Sequence, residues 1–221
     1  GVMLTHATIT AAVAGLEGYF LDFSPRATSV YDQEVYLAYL PAAHILEFSA
    51  EMSMLAHGAK IGFADPKTIA STGARRKMPD GSLNGEPTGF GNFPPGAIQE
   101  FAPTVMAAVP KIWDILKKGI ESKVGGMGGV IQAIFLAGFA ARSCALKTGR
   151  DTPLFNLLFN KFYKVLGGRI KIAVSGGGPV SADVQNFIRV AFKFPLVQGY
   201  GLTETCSNGT IQPSWSTEDG V

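Results

Sequence analysis

The sequence predicts an α/β domain built on parallel strands joined by crossover helices. Three observations predict it. Short β-prone runs alternate with segments of helical period. The last fifty residues form one strand, glycine turn, helix, strand unit. The two stretches richest in glycine, Ser175-Gly176-Gly177-Gly178 and Gln198-Gly199-Tyr200-Gly201, each follow an apolar run, so both reach the same sheet edge if their strands are neighbours.

The elements follow in order. Thr5 to about Phe20 carries Ile9, Val13, Leu16 and Phe20 at helical spacing, with Thr5 placed to cap the N-terminus. A polar connector around Ser24-Pro25-Arg26 leads to the β-prone run Glu34 to Leu40, which Pro41 ends. A helix from Ala43 to His57 stops at Gly58, and Lys60 to Ala64 reads as the next strand. From Asp65 to Pro103 Gly, Pro, Asn and charge dominate, which predicts an exposed loop over about 65–103. Val105 to Pro110 resumes as a strand, and Ile112, Ile115, Leu116 and Ile120 set a core-facing helical stripe. Helices over Gly129 to Lys147 and Pro153 to Leu166 flank a polar turn, and the strand Ile170 to Ser175 runs into the first glycine turn. Ser181 caps a helix with Val184, Phe187, Ile188 and Ala191 on one face, and Phe194 to Val197 is the last strand.

Composition narrows the function classes. At 221 residues and 47% hydrophobic content the chain can bury a substantial core. A formal charge of +2 is too small to argue for nucleic acid or an anionic membrane surface. Cys144 and Cys206 lie far apart, with no Cys-x-x-Cys and no ligand-spaced histidines, so neither a disulfide framework nor a structural metal is indicated. Reduced thiols predict an intracellular protein. The run from Val124 to Ala141 is uncharged, but only Val130 to Ala141 is solidly apolar, shorter than the ~20 residues of a spanning helix. It is predicted to be buried or interfacial. Both ends read as cuts in a longer chain, since the richest motif lies close to the last residue.

That motif, Gln198-Gly199-Tyr200-Gly201-Leu202-Thr203-Glu204, assembles nucleotide-handling groups within seven residues. Gly199 and Gly201 permit close backbone approach, Tyr200 offers a flat face for a base, Thr203 can bond a phosphoryl oxygen, and Glu204 can hold a divalent cation. The competing structural reading is a strand-to-helix turn with Thr203 as N-cap. Ser-Gly-Gly-Gly-Pro lacks the Gly-x-Gly-x-x-Gly spacing of dinucleotide sites, and the Gly-Lys-Ser/Thr phosphate loop and the Gly-x-Ser-x-Gly elbow are absent from the sequence. His44, three residues before Glu47 at a strand-to-helix junction, can line a pocket mouth. His6 and His57 have no such pattern.

Together these residues resemble the adenylate-forming superfamily. Gly1-Val2-Met3-Leu4-Thr5-His6 is similar to the tail of its phosphate-binding loop, and Tyr39-Leu40-Pro41-Ala42-Ala43-His44 to the motif beside its acyl pocket. Ser175-Gly176-Gly177-Gly178-Pro179 and the Tyr200 motif are similar to its adenine-side and phosphate-side motifs, in the family's order. Within it the chain most resembles the long-chain acyl-CoA synthetases, through His44-Ile45-Leu46-Glu47, Pro66-Lys67-Thr68, Val109 to Asp114, Leu166 to Lys171 and the insertion between Pro103 and Gly167. The threonine-rich part of the phosphate loop, its lysine, a later aspartate and the small C-terminal domain fall outside these residues, so the chain is expected to be a partial AMP-binding domain over residues 1–221.

The resemblance implies an acid–thiol ligase that activates a long-chain fatty acid with ATP and transfers it to coenzyme A. It implies that Glu204 holds Mg²⁺, Thr203 bonds the α-phosphate and Tyr200 stacks on adenine. Gly176, Gly177 and Gly178 would border adenine and the acyl carbonyl; Gln198, Gly199 and Gly201 would complete the nucleotide site; His44 would gate the acyl passage. The implied partners are fatty acid, ATP and coenzyme A, with no nucleic acid. The implied setting is the cytoplasm or the periphery of a cytoplasm-facing membrane. Alternatives are a ligase for an aryl or amino acid, disfavoured by the Trp113-containing insertion, and a non-catalytic binding remnant.

Overall fold

A computed structural model describes residues 1–22, 33–70, 95–150 and 152–220. Its centre is a six-stranded sheet, β1 (Val35–Ala38), β2 (Lys60–Phe63), β3 (Val105–Ala108), β4 (Ile172–Ser175), β5 (Leu196–Tyr200) and β6 (Thr210–Ile211), in the order β2-β1-β3-β4-β5-β6. The first five strands are mutually parallel and β6 pairs antiparallel with β5. β1 and β3 are buried along their whole length, as parallel strands covered on both faces must be.

Local chemistry sets the helix ends. α1 (His6–Leu21) starts where the Thr5 hydroxyl accepts from the Thr8 amide, and α2 (Ile45–His57) ends on Gly58 at a φ of 82°. α4 (Pro110–Gly125) and α6 (Pro153–Val165) open on proline, which gives up no helical hydrogen bond there. α5 (Gly129–Lys147) lies between them in sequence, and α7 (Ala182–Phe192) is capped by Ser181, whose hydroxyl accepts from Val184. α7 is buried almost throughout, with the sheet beneath it and α4, α5 and α6 packed over it. Trp113, Phe135, Phe159, Phe187 and Ile188 fill that layer. α1 and α2 pack on the opposite side around Phe20, Tyr36 and Met54.

Three expectations change. The stretch over about 65–103 is not all loop: α3 (Ala97–Phe101) forms there, Ala97 and Ile98 are buried, and the Phe101 ring lies 2.5 Å from where a Cβ on Gly62 would stand. Residues 71–94 of that stretch, and the connector at 24–26, lie outside the described residues. The stripe on α4 is centred on Trp113, Ile120 and Val124, while Ile115 faces out. The last strand does not stop at Val197 but continues through Gly199 to Tyr200, because β6 returns alongside to pair with Gly199 and Tyr200. The apolar run starting at Val130 belongs to a helix of 19 residues, long and apolar enough by composition to cross a membrane, with 22% of its apolar window buried.

Candidate functional site

β4 and β5 are neighbours in register, Val174 opposite Val197 and Ser175 opposite Gln198, so both glycine turns leave the sheet at one edge, at the C-terminal ends of the parallel strands. Backbone geometry explains why these positions are glycine. Gly177 has a φ of 78°, in the left-handed region. At Gly201 a Cβ would meet the Ser207 carbonyl oxygen at 2.0 Å, because the chain folds back through a short 3₁₀ turn (Thr203–Thr205) and Gly209 donates to the Tyr200 carbonyl at 2.9 Å. The closeness at Gly201 is therefore to protein backbone.

Thr203 is not a cap: Leu202 stands at the N-cap, and it is Thr205 whose hydroxyl accepts from the Leu202 amide at 3.0 Å. The Thr203 and Glu204 side chains are exposed at this edge. His44 is the N-cap of α2, where its Nδ1 accepts from the Leu46 amide at 3.2 Å. Glu47 turns away from the pocket mouth and into the core, accepting from the Tyr36 hydroxyl at 2.8 Å. Burial is the main cause that pushes its carboxyl up to about 7; the Tyr36 bond and the Tyr39 and Leu40 amides oppose this, and Glu51 adds to it. The Tyr36 hydroxyl is raised well above its usual value by burial and then by Glu47.

Two cavities meet at the glycine turns. One, of about 460 Å³, runs between α1, α2 and the sheet, with apolar walls from Leu16, Phe20, Tyr36 and Met54 and a mouth at His44, Gly176 and Thr203. The other, of about 670 Å³, is bordered by Tyr200, Gly178, Pro179, Gln212 and Glu218. Gly177, Gly199 and Gly201 line both. Tyr200 leaves 65% of its surface exposed there, available to stack. Ser207 lines the apolar cavity, and its Oγ is buried with no hydrogen-bond partner. Among the described residues no group of three or more His, Cys, Asp and Glu could hold a metal ion.

A polar network missed by sequence reasoning supports the second cavity. The Gln212 side-chain oxygen Oε1 accepts from the Gln185 side chain at 2.8 Å, from the Gln198 backbone amide at 3.2 Å and from Arg189 at 3.3 Å. Arg189 also holds the Leu196 carbonyl and Asp219. Gln198 cross-links the two turns, its side-chain oxygen accepting from the Val180 amide at 2.9 Å and its nitrogen donating to Gln185 at 3.2 Å. Gln185 and Arg189 fall among apolar residues of α7, so a periodicity reading passes over them; the only signal is a buried-helix pattern broken twice on one side.

The family of AMP-binding enzymes matches residues 1–220. Long chain acyl-CoA synthetase 8 of Arabidopsis thaliana is 33% identical over 218 residues, covering 96% of this chain and 27% of that protein. Long-chain-fatty-acid–CoA ligase 1 of Saccharomyces cerevisiae is 31% identical over 223 residues, covering 100% and 28%. The chain thus spans little more than a quarter of the length of these relatives. Among solved structures, the N-terminal domain of FACL13 from Mycobacterium tuberculosis superposes with a TM-score of 0.56 at 16% identity over 98% of this chain and 37% of its own. The A domain of carboxylic acid reductase from Segniliparus rugosus, in complex with AMP and a co-purified carboxylic acid, does so at 0.56 and 17% over 92% and 26%. These likenesses show the fold. With the family match across nearly every residue and curated relatives named as long-chain acyl-CoA synthetases, the chain belongs to the AMP-binding enzyme family.

Proposed function

We propose that the protein carrying this chain activates a long-chain fatty acid with ATP and passes the acyl group to coenzyme A. The observation that carries the reading is the shared glycine wall: an apolar cavity and a cavity with an exposed tyrosine meet at Gly177, Gly199 and Gly201. A fatty acid lying in the first presents its carboxylate at the mouth, and a nucleotide in the second presents its α-phosphate at the same place. The cavity volumes suit small-molecule sites, which run to roughly 300–1,000 Å³.

The carboxylate oxygen attacks the α-phosphorus, the bond to the bridging oxygen breaks, and pyrophosphate leaves. The coenzyme A thiol, losing its proton, then attacks the acyl carbonyl and AMP leaves. Neither half-reaction needs a covalent bond to the protein, so catalysis is positioning and neutralisation of charge. Tyr200 stacks on the base, and the exposed Thr203 hydroxyl donates to an α-phosphate oxygen at the cavity mouth. His44, held as the cap of α2, borders the acyl passage. Gln198 holds the two turns at their spacing. Glu204 fits Mg²⁺ as a lone exposed carboxylate, since that ion is commonly held by one or two carboxylates with phosphate oxygens and water; bound there, it would withdraw negative charge from the phosphates. We place the reaction inside the cell, where ATP and coenzyme A are supplied.

The test is acid-dependent ATP–pyrophosphate exchange by the full-length protein. Exchange with palmitate supports the reading. Exchange with benzoate or an amino acid and none with palmitate moves the substrate to another acid, and no exchange with any acid removes the enzymatic reading.

A further inference from the structure

The strands that line the apolar cavity give its depth. Its mouth is at Gly176, and Phe20, Tyr36, Met54 and Val105 close its inner end. Val105, the first residue of β3, pairs with Tyr36 of β1 on one side and Ile172 of β4 on the other, so these three lie at one level of the sheet. Gly176 stands four residues beyond Ile172 and still bonds to the Ala108 carbonyl of β3. At about 3.3 Å per residue of parallel strand, the mouth is about 13 Å from the floor. A straight hydrocarbon chain, with bonds of about 1.5 Å at the tetrahedral angle, advances about 1.25 Å per carbon, so about ten carbons fill that depth.

The floor is held from behind. The Phe20 ring stands edge-on to the His57 ring, whose Nδ1 meets the Glu17 carboxylate at 3.1 Å, and the Tyr36 hydroxyl donates to Glu47 at 2.8 Å. Phe20, Tyr36 and Met54 are all buried. A longer chain therefore has to leave through a side wall. The wall facing the sheet's β6 edge is α1, which is pinned there at two points: the Asn208 side chain donates to the Ala12 carbonyl at 2.9 Å, and the Tyr19 hydroxyl donates to the Gln212 carbonyl at 2.9 Å. Gly15 lies between the two pins, about 4.5 Å along the helix axis from Ala12. It lines the cavity, it is exposed, and a Cβ built on it meets nothing within 4 Å. Glycine inside a helix weakens it. Here it leaves a gap between α1 and the segment that returns through β6.

We propose that Gly15 is a port through which the tail of an acid longer than about ten carbons leaves the cavity, between α1 and β6, so that this one residue sets the upper end of the chain-length range. The inference rests on the reading that a fatty acid occupies this cavity.

The experiment is calorimetric binding of decanoate and of palmitate to the full-length protein without ATP, for the wild type, Gly15→Ala, Gly15→Leu and Gly15→Phe, alongside pyrophosphate exchange with each acid. The ratio of the palmitate Kd to the decanoate Kd should rise with the size of the side chain, by about tenfold or more in Gly15→Leu. The melts should not fall, since each of these residues favours helix more than glycine does and a Cβ at this position has open space. A ratio unchanged in Gly15→Leu and Gly15→Phe overturns the inference while leaving the proposed reaction in place if exchange persists. Equal weakening of both acids also overturns it, by making Gly15 an ordinary piece of wall. A ratio that rises in a protein without exchange supports the port and removes the enzymatic reading instead. Failure of the wild type to bind either acid overturns both.

Discussion

The two glycine turns at the sheet edge look alike in sequence and differ in what their glycines do. In the first, Gly177 needs its positive φ, but a Cβ there or on Gly178 would meet nothing closer than 3.6 Å. In the second, Gly201 is pressed on the Ser207 backbone with no room for one more atom. The first turn leaves the Gly177 and Gly178 backbone facing the second cavity; the second uses glycine to let the chain double back, placing Thr203 at the mouth of the first cavity and Glu204 next to it in the 3₁₀ turn. A glycine-rich motif can therefore serve access in one place and self-packing a few ångströms away.

The sharpest way to break this comparison is Gly201→Ala. The added methyl meets a backbone carbonyl, which cannot rotate aside as a side chain can. We expect a loss of about 3 kcal/mol or more together with all adenylation activity, because the 3₁₀ turn and β6 must move. A normal melt for Gly201→Ala would show that the turn yields easily and that the two glycine classes are the same.

Glu204→Gln ranks next, acting on activity alone. The amide keeps the volume of an exposed side chain and removes its charge, so the melt should be unchanged. Pyrophosphate release should fall by roughly two to three decades, equivalent to ~3–4 kcal/mol of barrier, if the carboxylate helps neutralise the transferring phosphate. Thioester formation from supplied acyl-adenylate should fall less. Unchanged pyrophosphate release across a Mg²⁺ titration would leave the second turn with only a structural part.

The first turn should show the opposite balance. Gly177→Ala forces a side chain into the left-handed region at about 1 kcal/mol. Gly178→Ala should cost only a few tenths of a kcal/mol in the melt, and both should raise the KM for ATP more than they lower stability. Loss of fold in Gly178→Ala would mean that this turn is packed as tightly as the other.

The sequence made the frame of this site legible because its signals are local. Thr5, Gly58 and Ser181 announce helix ends within a few residues, and alternating apolar runs place β4 and β5. What it concealed depends on partners distant in the chain. β6 is two residues long and exists because the turn at Gly201 returns it to β5. Gln185 and Arg189 are buried because the Leu196 carbonyl and Gln212 receive them. Glu47 stands beside His44 in sequence and suggested a shared pocket mouth, yet its partner is Tyr36 on β1. α3 forms where composition indicated loop, because Ile98 and Phe101 find the rim of the sheet.

The smallest effect concerns the wall behind the first turn. Leu46 of α2 lies 3.5 Å from where a Cβ on Gly176 would stand, and the next residue, Glu47, anchors α2 to β1 through Tyr36. Burial raises the Glu47 carboxyl from its ordinary 4.5 to about 7 in the folded protein. Between those values the unfolded chain is ionised while the folded protein holds the proton, so the folded state binds more protons and stability falls as pH rises. The stabilisation is complete below 4.5 and is lost on passing through about 7. Allowing for relaxation of the site around the charge, this gives a decline of about 1–2 kcal/mol between about pH 5 and about pH 8. Glu47→Gln keeps an acceptor for Tyr36 and cannot ionise, so its stability should be nearly flat over the same range, and its KM for the acid should lose any pH dependence seen in the wild type. A decline of equal slope in Glu47→Gln would assign the titration to another group and leave the first turn's wall independent of this carboxyl.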